Sequence, residues 1–140
     1  MYLSTFTSWA ELMGLQYSAQ VSYDMAMDMQ QNIPKVNAPE CESLGFGHLI
    51  DGYRQYSGPA NLAGKRVISS ELGANPNEAY QLTLPGLLWD ITRSLAGGVN
   101  MFVLHGYPYS GMYPNTTWPG FTTFAYGFSE MHGRHQPGWD

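Results

Sequence analysis

A glutamate and a histidine stand where two predicted strands of this chain end, and both residue types can move protons. Glu71 closes the run 65–71, and His105 closes the run 99–105. In parallel α/β folds, active sites lie at the carboxyl ends of the strands, so Glu71 is a candidate nucleophile or general base. Neighbouring parallel strands lie about 4.8 Å apart, so we expect the two side chains within about 10 Å of each other. The alternatives are a solvated or helix-capping Glu71 and a core His105 bonded to the backbone.

A second acid is offered by the segment PECE, in which Glu40 and Glu42 flank Cys41. The segment is predicted as a loop after a short strand at 35–37. Two carboxylates two residues apart point the same way if the chain is extended. A glycosidase needs a second carboxylate opposite the first, and this loop is its natural source. The alternative is that both glutamates cap the helix predicted to begin near Leu44.

The remaining reactive residues give weaker patterns. Cys41 is the single cysteine and has no motif-level base partner, which argues against a cysteine nucleophile. His132 and His135 stand three residues apart without an obvious third ligand, and zinc pairs on helices favour a spacing of four. Asp24 and Asp28 could bind calcium at a spacing of four, but a solvated helix face is the commoner interpretation. The sequence has no glycine-rich phosphate loop.

The composition excludes several classes of protein. The chain has 140 residues, of which 44% are apolar and 12% are charged, with a net charge of −5. We therefore expect a folded chain that binds no nucleic acid, because basic residues are scarce. No apolar run approaches the length of about 18 residues that a membrane span needs, and the start lacks the pattern of a signal peptide. Aromatic residues make up 14%, which suits either sugar binding or an aromatic core with many turns.

The elements that must position the candidate residues follow a strand–helix–strand rhythm. It is clearest as a strand at 65–71, a helix at 80–96 and a strand at 99–105, and this order predicts a parallel sheet in an α/β fold. Weaker signals upstream predict a helix at 4–15, a strand at 16–23 and a helix at 44–56 that ends before Ser57-Gly58-Pro59. Residues 106–140 are irregular and aromatic, as in a functional loop or a piece that lacks its partners.

Five segments together resemble the C-terminal part of the catalytic barrel in glycoside hydrolase family 106. These segments are PECESLGF, YRQYSGPANLAGKRVISSE, SSELGA, GGVNMFVLHGYPYSG and WPGFTTFAYGFSEMHGRHQPGWD. The similarity covers roughly residues 16 to 140. Members of the family are α-L-rhamnosidases on a (β/α)₈ barrel that act with inversion and are associated with calcium, so the resemblance implies a carbohydrate substrate and calcium as a cofactor.

The resemblance also implies roles for individual residues. Glu71 would be a catalytic carboxylate at the end of barrel strand seven, and Glu40 the second acid after strand six, with Glu42 as its rival. His105 and Tyr107 would line the sugar pocket after strand eight. Which carboxylate is acid and which is base stays open. We also expect Trp118, in the aromatic tail, to contact the sugar.

A complete barrel of this kind takes about 250 residues, so the chain is predicted to be its C-terminal half. The missing N-terminal half would then be its partner. Asn115 begins the sequon Asn-Thr-Thr, which predicts N-glycosylation, and together with the resemblance it predicts a secreted protein. The alternatives from other classes are a non-catalytic carbohydrate-binding module and an inactive truncated fragment.

Overall fold

The structure, a computed structural model, describes residues 1–21, 26–74 and 82–105. The chain divides into two compact units. The first comprises residues 1–71 and 92–103, and the second comprises residues 72–91 and 104–140. The predicted active-site residues Tyr107 and Trp118 and the sequon residue Asn115 lie outside the described residues, as do Asp24, His132 and His135.

Four strands form one parallel sheet with the spatial order β1-β2-β3-β4. Their bounds are Ser18–Gln20 for β1, Ala38–Glu42 for β2, Ser69–Leu72 for β3 and Met101–Leu104 for β4. β1 pairs in parallel with β2, and β2 pairs in parallel with β3. The order along the sheet is therefore the order along the chain, without a reversal.

Helices connect the strands, which confirms the α/β class. They are α1 (Tyr2–Leu12), α2 (Met29–Asn32), α3 (Ser43–Phe46), α4 (Ile50–Leu62) and α5 (Leu84–Ala96), with a 3₁₀ turn at Ile33–Lys35 after α2. Among the residues that the structure describes, no helix has the length and apolarity that crossing a membrane would require.

The alternation of side chains along β1 to β3 separates an apolar face of the sheet from a polar one. Val21, Cys41 and Ile68 are buried in the core of the first unit, where they pack with Tyr53 and Tyr56 of α4. The opposite face carries the neighbours of these residues along the strands, which are Ser18, Gln20, Ala38, Glu40, Glu42, Ser69 and Glu71. Burial of the apolar face against α4 fixes the register, because a slip of one residue would exchange the two faces.

Two asparagines, each just before a strand, bind the residue that precedes the neighbouring strand. Asn37 Oδ1 accepts the backbone N–H of Tyr17 (2.9 Å), and the Asn37 N–H donates to the Tyr17 carbonyl (3.0 Å). Asn100 and Ile68 repeat the same pair of bonds, each at 2.9 Å. This repeated pairing satisfies backbone groups that lie just outside the ladder, and it joins β1 to β2 and β3 to β4 at their amino ends.

The structure corrects the predicted environment of the two candidate acids. PECE is not a loop after a strand: Pro39 to Glu42 belong to β2 itself. The strand predicted at 35–37 is wrong, because Ile33–Lys35 forms a 3₁₀ turn, in which Pro34 is favoured by its fixed φ. Glu71 does not close its strand but is the third of its four residues.

The sequence predicted the ends of α4 and α5 from their prolines and glycines, and the structure confirms the prediction only for α5. The predicted break at Ser57-Gly58-Pro59 is wrong, because α4 continues through Pro59 to Leu62. The predicted end of α5 at Gly97-Gly98 is confirmed, and Gly98 has a φ of 95°. Thr83 Oγ1 accepts the N–H of Gly86 (3.3 Å) at the start of α5, where Pro85 occupies the first turn as predicted.

Candidate active site

Three neighbouring strands bring an amide and two carboxylates to the polar face of the sheet. Gln20 is the last residue of β1, and its register partner on β2 is Glu40. Glu40 is paired with Ser69 on β3, and Glu42 is paired with Glu71. Since paired residues and residues two apart share a face, the side chains of Gln20, Glu40 and Glu71 point the same way.

The side-chain amide of Gln20 joins the two carboxylates. Its Nε2 donates to Glu71 Oε2 at 2.7 Å and to Glu40 Oε1 at 3.3 Å. All three side chains are half-buried. A primary amide has two N–H donors, so one nitrogen can serve both acids at once. Both candidate acids predicted from the sequence therefore belong to one hydrogen-bonded cluster.

Glu40 has further partners that hold it independently of Gln20. Ser69 Oγ donates to Glu40 Oε2 at 2.9 Å, so each oxygen of the Glu40 carboxyl accepts one bond. Tyr56 Oη, from α4, donates to the backbone carbonyl of Glu40 at 2.6 Å. Burial raises the pKa of Tyr56 well above its usual value, so this phenol keeps its proton and stays a donor.

The bridge limits the separation of the two acids. Because both oxygens are bonded to the same nitrogen, Glu40 Oε1 and Glu71 Oε2 stand at most about 6 Å apart. Paired carboxyl groups of glycosidases stand about 5–5.5 Å apart in retaining enzymes and about 6.5–9.5 Å apart in inverting ones. A bound of about 6 Å on the two nearest oxygens is compatible with either span, and at rest the Gln20 nitrogen stands between these oxygens.

The other predicted site residues within the described chain lie near strand ends. Glu42 occupies the N-cap position of α3, but its side chain makes no capping bond to that helix. Its register position beside Glu71 keeps it on the polar face. His105 directly follows β4, as predicted, and its backbone N–H donates to the Leu72 carbonyl at 2.8 Å. The predicted proximity of the Glu71 and His105 side chains stays a prediction.

Cys41 faces away from the acids and is chemically quiet. Its side chain is fully buried, and Sγ lies 3.4 Å from the carbonyl oxygen of Ser69. Burial raises the pKa of the thiol from 9.0 to about 12. Since the thiolate is the reactive form, this environment agrees with the sequence argument against a cysteine nucleophile.

Sequence reasoning missed Gln20 and Ser69, the two residues that organise the acids. Gln20 falls inside the strand predicted at 16–23, so its place at the end of the real strand was not visible. The available signal was its type, because a polar side chain at the end of a strand is in the same topological place as Glu71. Ser69 stands two residues before Glu71, and the alternation of a strand places both on one face.

The described residues do not by themselves supply a calcium site. Among residues 1–21, 26–74 and 82–105 no group of three or more His, Cys, Asp or Glu side chains could hold a metal ion. Asp28, one of the two aspartates considered for calcium, instead caps α2 by accepting the N–H of Gln31 at 3.1 Å.

Comparisons with known proteins add no relative. No protein-family model, no curated protein and no solved structure matches this chain.

Proposed function

We propose that this chain carries the carboxylate pair of a glycoside hydrolase that acts on α-L-rhamnosides, as the resemblance to family 106 implies. The observation that carries the proposal is the single amide of Gln20 bonded to both Glu40 and Glu71. Hydrolysis of a glycoside needs two carboxyl groups on one site, one to protonate the leaving oxygen and one to activate water. Secretion and glycosylation at Asn115 belong to the same proposal.

The finer fold that we propose is the C-terminal half of a (β/α)₈ barrel, with the N-terminal half as its partner. Right-handed crossovers place every connecting helix on one face of a sheet whose strand order never reverses. The order β1-β2-β3-β4 has this property, whereas a doubly wound sheet reverses its order and carries helices on both faces. In a barrel the polar face with Glu40 and Glu71 would line the interior, near the carboxyl ends of the strands.

Inversion, which the resemblance implies, has a geometric requirement. A water must stand between the base and the sugar, and at rest the Gln20 nitrogen occupies the space between the two acids. Substrate binding must then release the Gln20 amide from one of the two carboxylates. If the bridge stayed closed, the Gln20 nitrogen would keep that space from the water.

The test combines hydrolysis with binding. We expect the chain to release nitrophenol from 4-nitrophenyl α-L-rhamnopyranoside, with β-rhamnose as the first product by proton NMR. Glu71→Gln should lower kcat by about 10²–10⁴-fold, because it removes a proton-transfer group. Ser18→Ala, on the same face of β1 but outside the cluster, is the matched control. The proposal is overturned if the chain hydrolyses no rhamnoside and L-rhamnose also leaves the Gln20 side-chain amide signals unchanged.

A non-catalytic carbohydrate-binding module is the second candidate, and the exposed aromatic rings of α1 favour it. The Tyr2 and Phe6 rings are 4.9 Å apart in edge contact, and the Phe6 ring stacks on Tyr17 at 5.8 Å. Tyr2 and Trp9 are more than half exposed, and aromatic rings of this kind can stack on sugars. The module is favoured if the unsubstituted chain binds rhamnosides without hydrolysing them and Glu71→Gln binds them equally well. Absence of both binding and hydrolysis would point to an inactive fragment.

A further inference from the structure

We infer that Gln20 is a positioning residue whose amide leaves Glu40 when substrate enters, so that Glu40 becomes the general base while Glu71, still bonded to Gln20, is the general acid. This inference rests on the proposed function and deepens it. It starts from the place of the amide, which stands between the two carboxylates in the gap that an inverting enzyme keeps for its water.

The two bonds of the amide are unequal. Nε2 lies 2.7 Å from Glu71 Oε2 but 3.3 Å from Glu40 Oε1. Bonds between an N–H donor and a carboxylate are typically about 2.7–2.9 Å, so the contact with Glu40 is the weaker of the two. When one bond must open, the bond to Glu40 is the one that costs less to break.

The second partner of Glu40 makes this opening possible. Ser69 Oγ holds Glu40 Oε2 at 2.9 Å, and Tyr56 holds the backbone of the same residue. Glu40 therefore keeps its position when the amide withdraws. Its Oε1 is then free of the amide and available to accept a proton from water.

The reaction step balances with these two acids alone. The water oxygen attacks the anomeric carbon as the bond from that carbon to the leaving oxygen breaks. Glu40 takes one proton from the water, and Glu71 gives its proton to the leaving oxygen. The products are the free sugar with inverted configuration and an alcohol, and no other reactant is needed.

The bridge itself is tested first, without reference to activity. In the full chain labelled with ¹⁵N, we expect both Glu40→Gln and Glu71→Gln to move the two Nε2 proton signals of Gln20, with the larger change in Glu71→Gln. Ser18→Ala should leave these signals in place. If either glutamate substitution leaves both signals unmoved, the bridge does not exist and the inference is overturned.

Kinetics then test the roles. Gln20→Met keeps the length of the side chain but removes the donor, and we expect kcat to fall about 10–100-fold with KM changed less than about three-fold. If Gln20 had only a structural role, its substitution would lower the amount of folded protein, but the kcat of each folded molecule and the KM would both stay unchanged. Gln20→Met with the kcat of the unchanged chain would overturn the inference.

Chemical rescue separates base from acid. Glu40→Ala should regain turnover of the rhamnoside with azide, which attacks the anomeric carbon in place of the activated water and gives β-rhamnosyl azide while the leaving alcohol departs. Glu71→Ala should instead keep most activity only on a dinitrophenyl rhamnoside, whose leaving group needs no proton. The reverse pattern would overturn the assignment. The unsubstituted chain could be inactive on every rhamnoside while the Gln20 amide signals still move in both glutamate variants. That result would contradict the proposed function and support the bridge.

Discussion

At the scale of single residues, Glu40 is held by two donors that come from two different strands. Gln20 reaches it from β1, and Ser69 reaches it from β3. A half-buried carboxylate that keeps its hydrogen bonds avoids much of the cost of leaving water, and bonds to a charged group contribute about 1.5–3 kcal/mol each. The two donors therefore act on one acceptor and should not be independent.

We predict that Gln20→Met and Ser69→Ala are coupled in a double-mutant cycle. Each substitution alone should lower the free energy of unfolding by about 1.5–3 kcal/mol, measured by urea denaturation. While one donor remains, Glu40 stays in place, but after both are lost it can turn toward solvent, where water replaces both partners, so the double loss should cost less than the sum of the two single losses. The double variant should be more stable than the sum predicts by at least about 0.5 kcal/mol.

Ser57 provides the control for this cycle. Its Oγ donates to the Gly97 carbonyl at 2.6 Å, and this bond shares no partner with Gln20. Ser57→Ala should lower stability, yet combine with Gln20→Met additively within about 0.3–0.5 kcal/mol. Equal coupling in both cycles would contradict the idea that Gln20 and Ser69 act through Glu40.

At the scale of elements, the sequence predicted which segments fold but not all of their ends. The helix predicted at 80–96 was recognisable because its leucines recur at helical spacing and Gly97-Gly98 follows it. It ends as predicted but begins at Leu84, so that Pro85 lies in its first turn. The continuation of α4 through Pro59 was not predictable, because a proline usually ends or kinks a helix. In the structure Pro59 lies in the last turn of α4, which runs on to Leu62. Proline is also rare inside a strand, which is why PECE was predicted as a loop although Pro39 lies in β2.

Two glycines on neighbouring elements let us predict opposite effects of one substitution. A Cβ on Gly97 would overlap Tyr53 Cβ in α4 and lie 3.1 Å from the Ile50 carbonyl oxygen. Gly97→Ala should therefore lower the free energy of unfolding by about 1–3 kcal/mol, through overpacking. At Gly58, inside α4, no atom lies within 4 Å of the place that an added Cβ would take.

Gly58→Ala is the matched variant for this pair. It should raise stability by about 0.5–1 kcal/mol, because alanine loses less backbone freedom in a helix than glycine does. Thermal and urea unfolding of both variants check the pair. Similar losses from both substitutions would mean that the close approach of Gly97 to α4 does not limit the packing.

At the scale of the whole molecule, the α/β class was predictable because strand and helix signals alternate along the chain. The candidate acids Glu40 and Glu71 were predictable from their type and their place near strand ends. The bridge that Gln20 makes between them was not predictable, because it depends on the register of three strands. Burial of one face excludes a slip of one residue but not a slip of two, so the sequence pattern leaves the exact pairing open.

The core of the first unit contains two buried acidic groups, and they predict how the stability of the molecule depends on pH. Burial raises the pKa of the Cys41 thiol from 9.0 to about 12 and also raises the pKa of Tyr56. A raised folded pKa means that the native state keeps protons that the unfolded chain loses. Stability from these groups is therefore fully present below about pH 9 and is lost as the pH rises toward 12.

We expect the free energy of unfolding to fall between pH 9 and pH 10 with a slope approaching about 1.4 kcal/mol per pH unit, mainly from Cys41. Above pH 10 the ionisation of Tyr56 in the unfolded chain should steepen the fall. Cys41→Ala should lower stability at every pH, since it leaves a small cavity, but flatten the curve between pH 9 and pH 10. Urea denaturation across this range measures both curves. Equal slopes for the two proteins would show that Cys41 ionises alike in the folded and unfolded chains, contrary to its burial on the apolar face of β2.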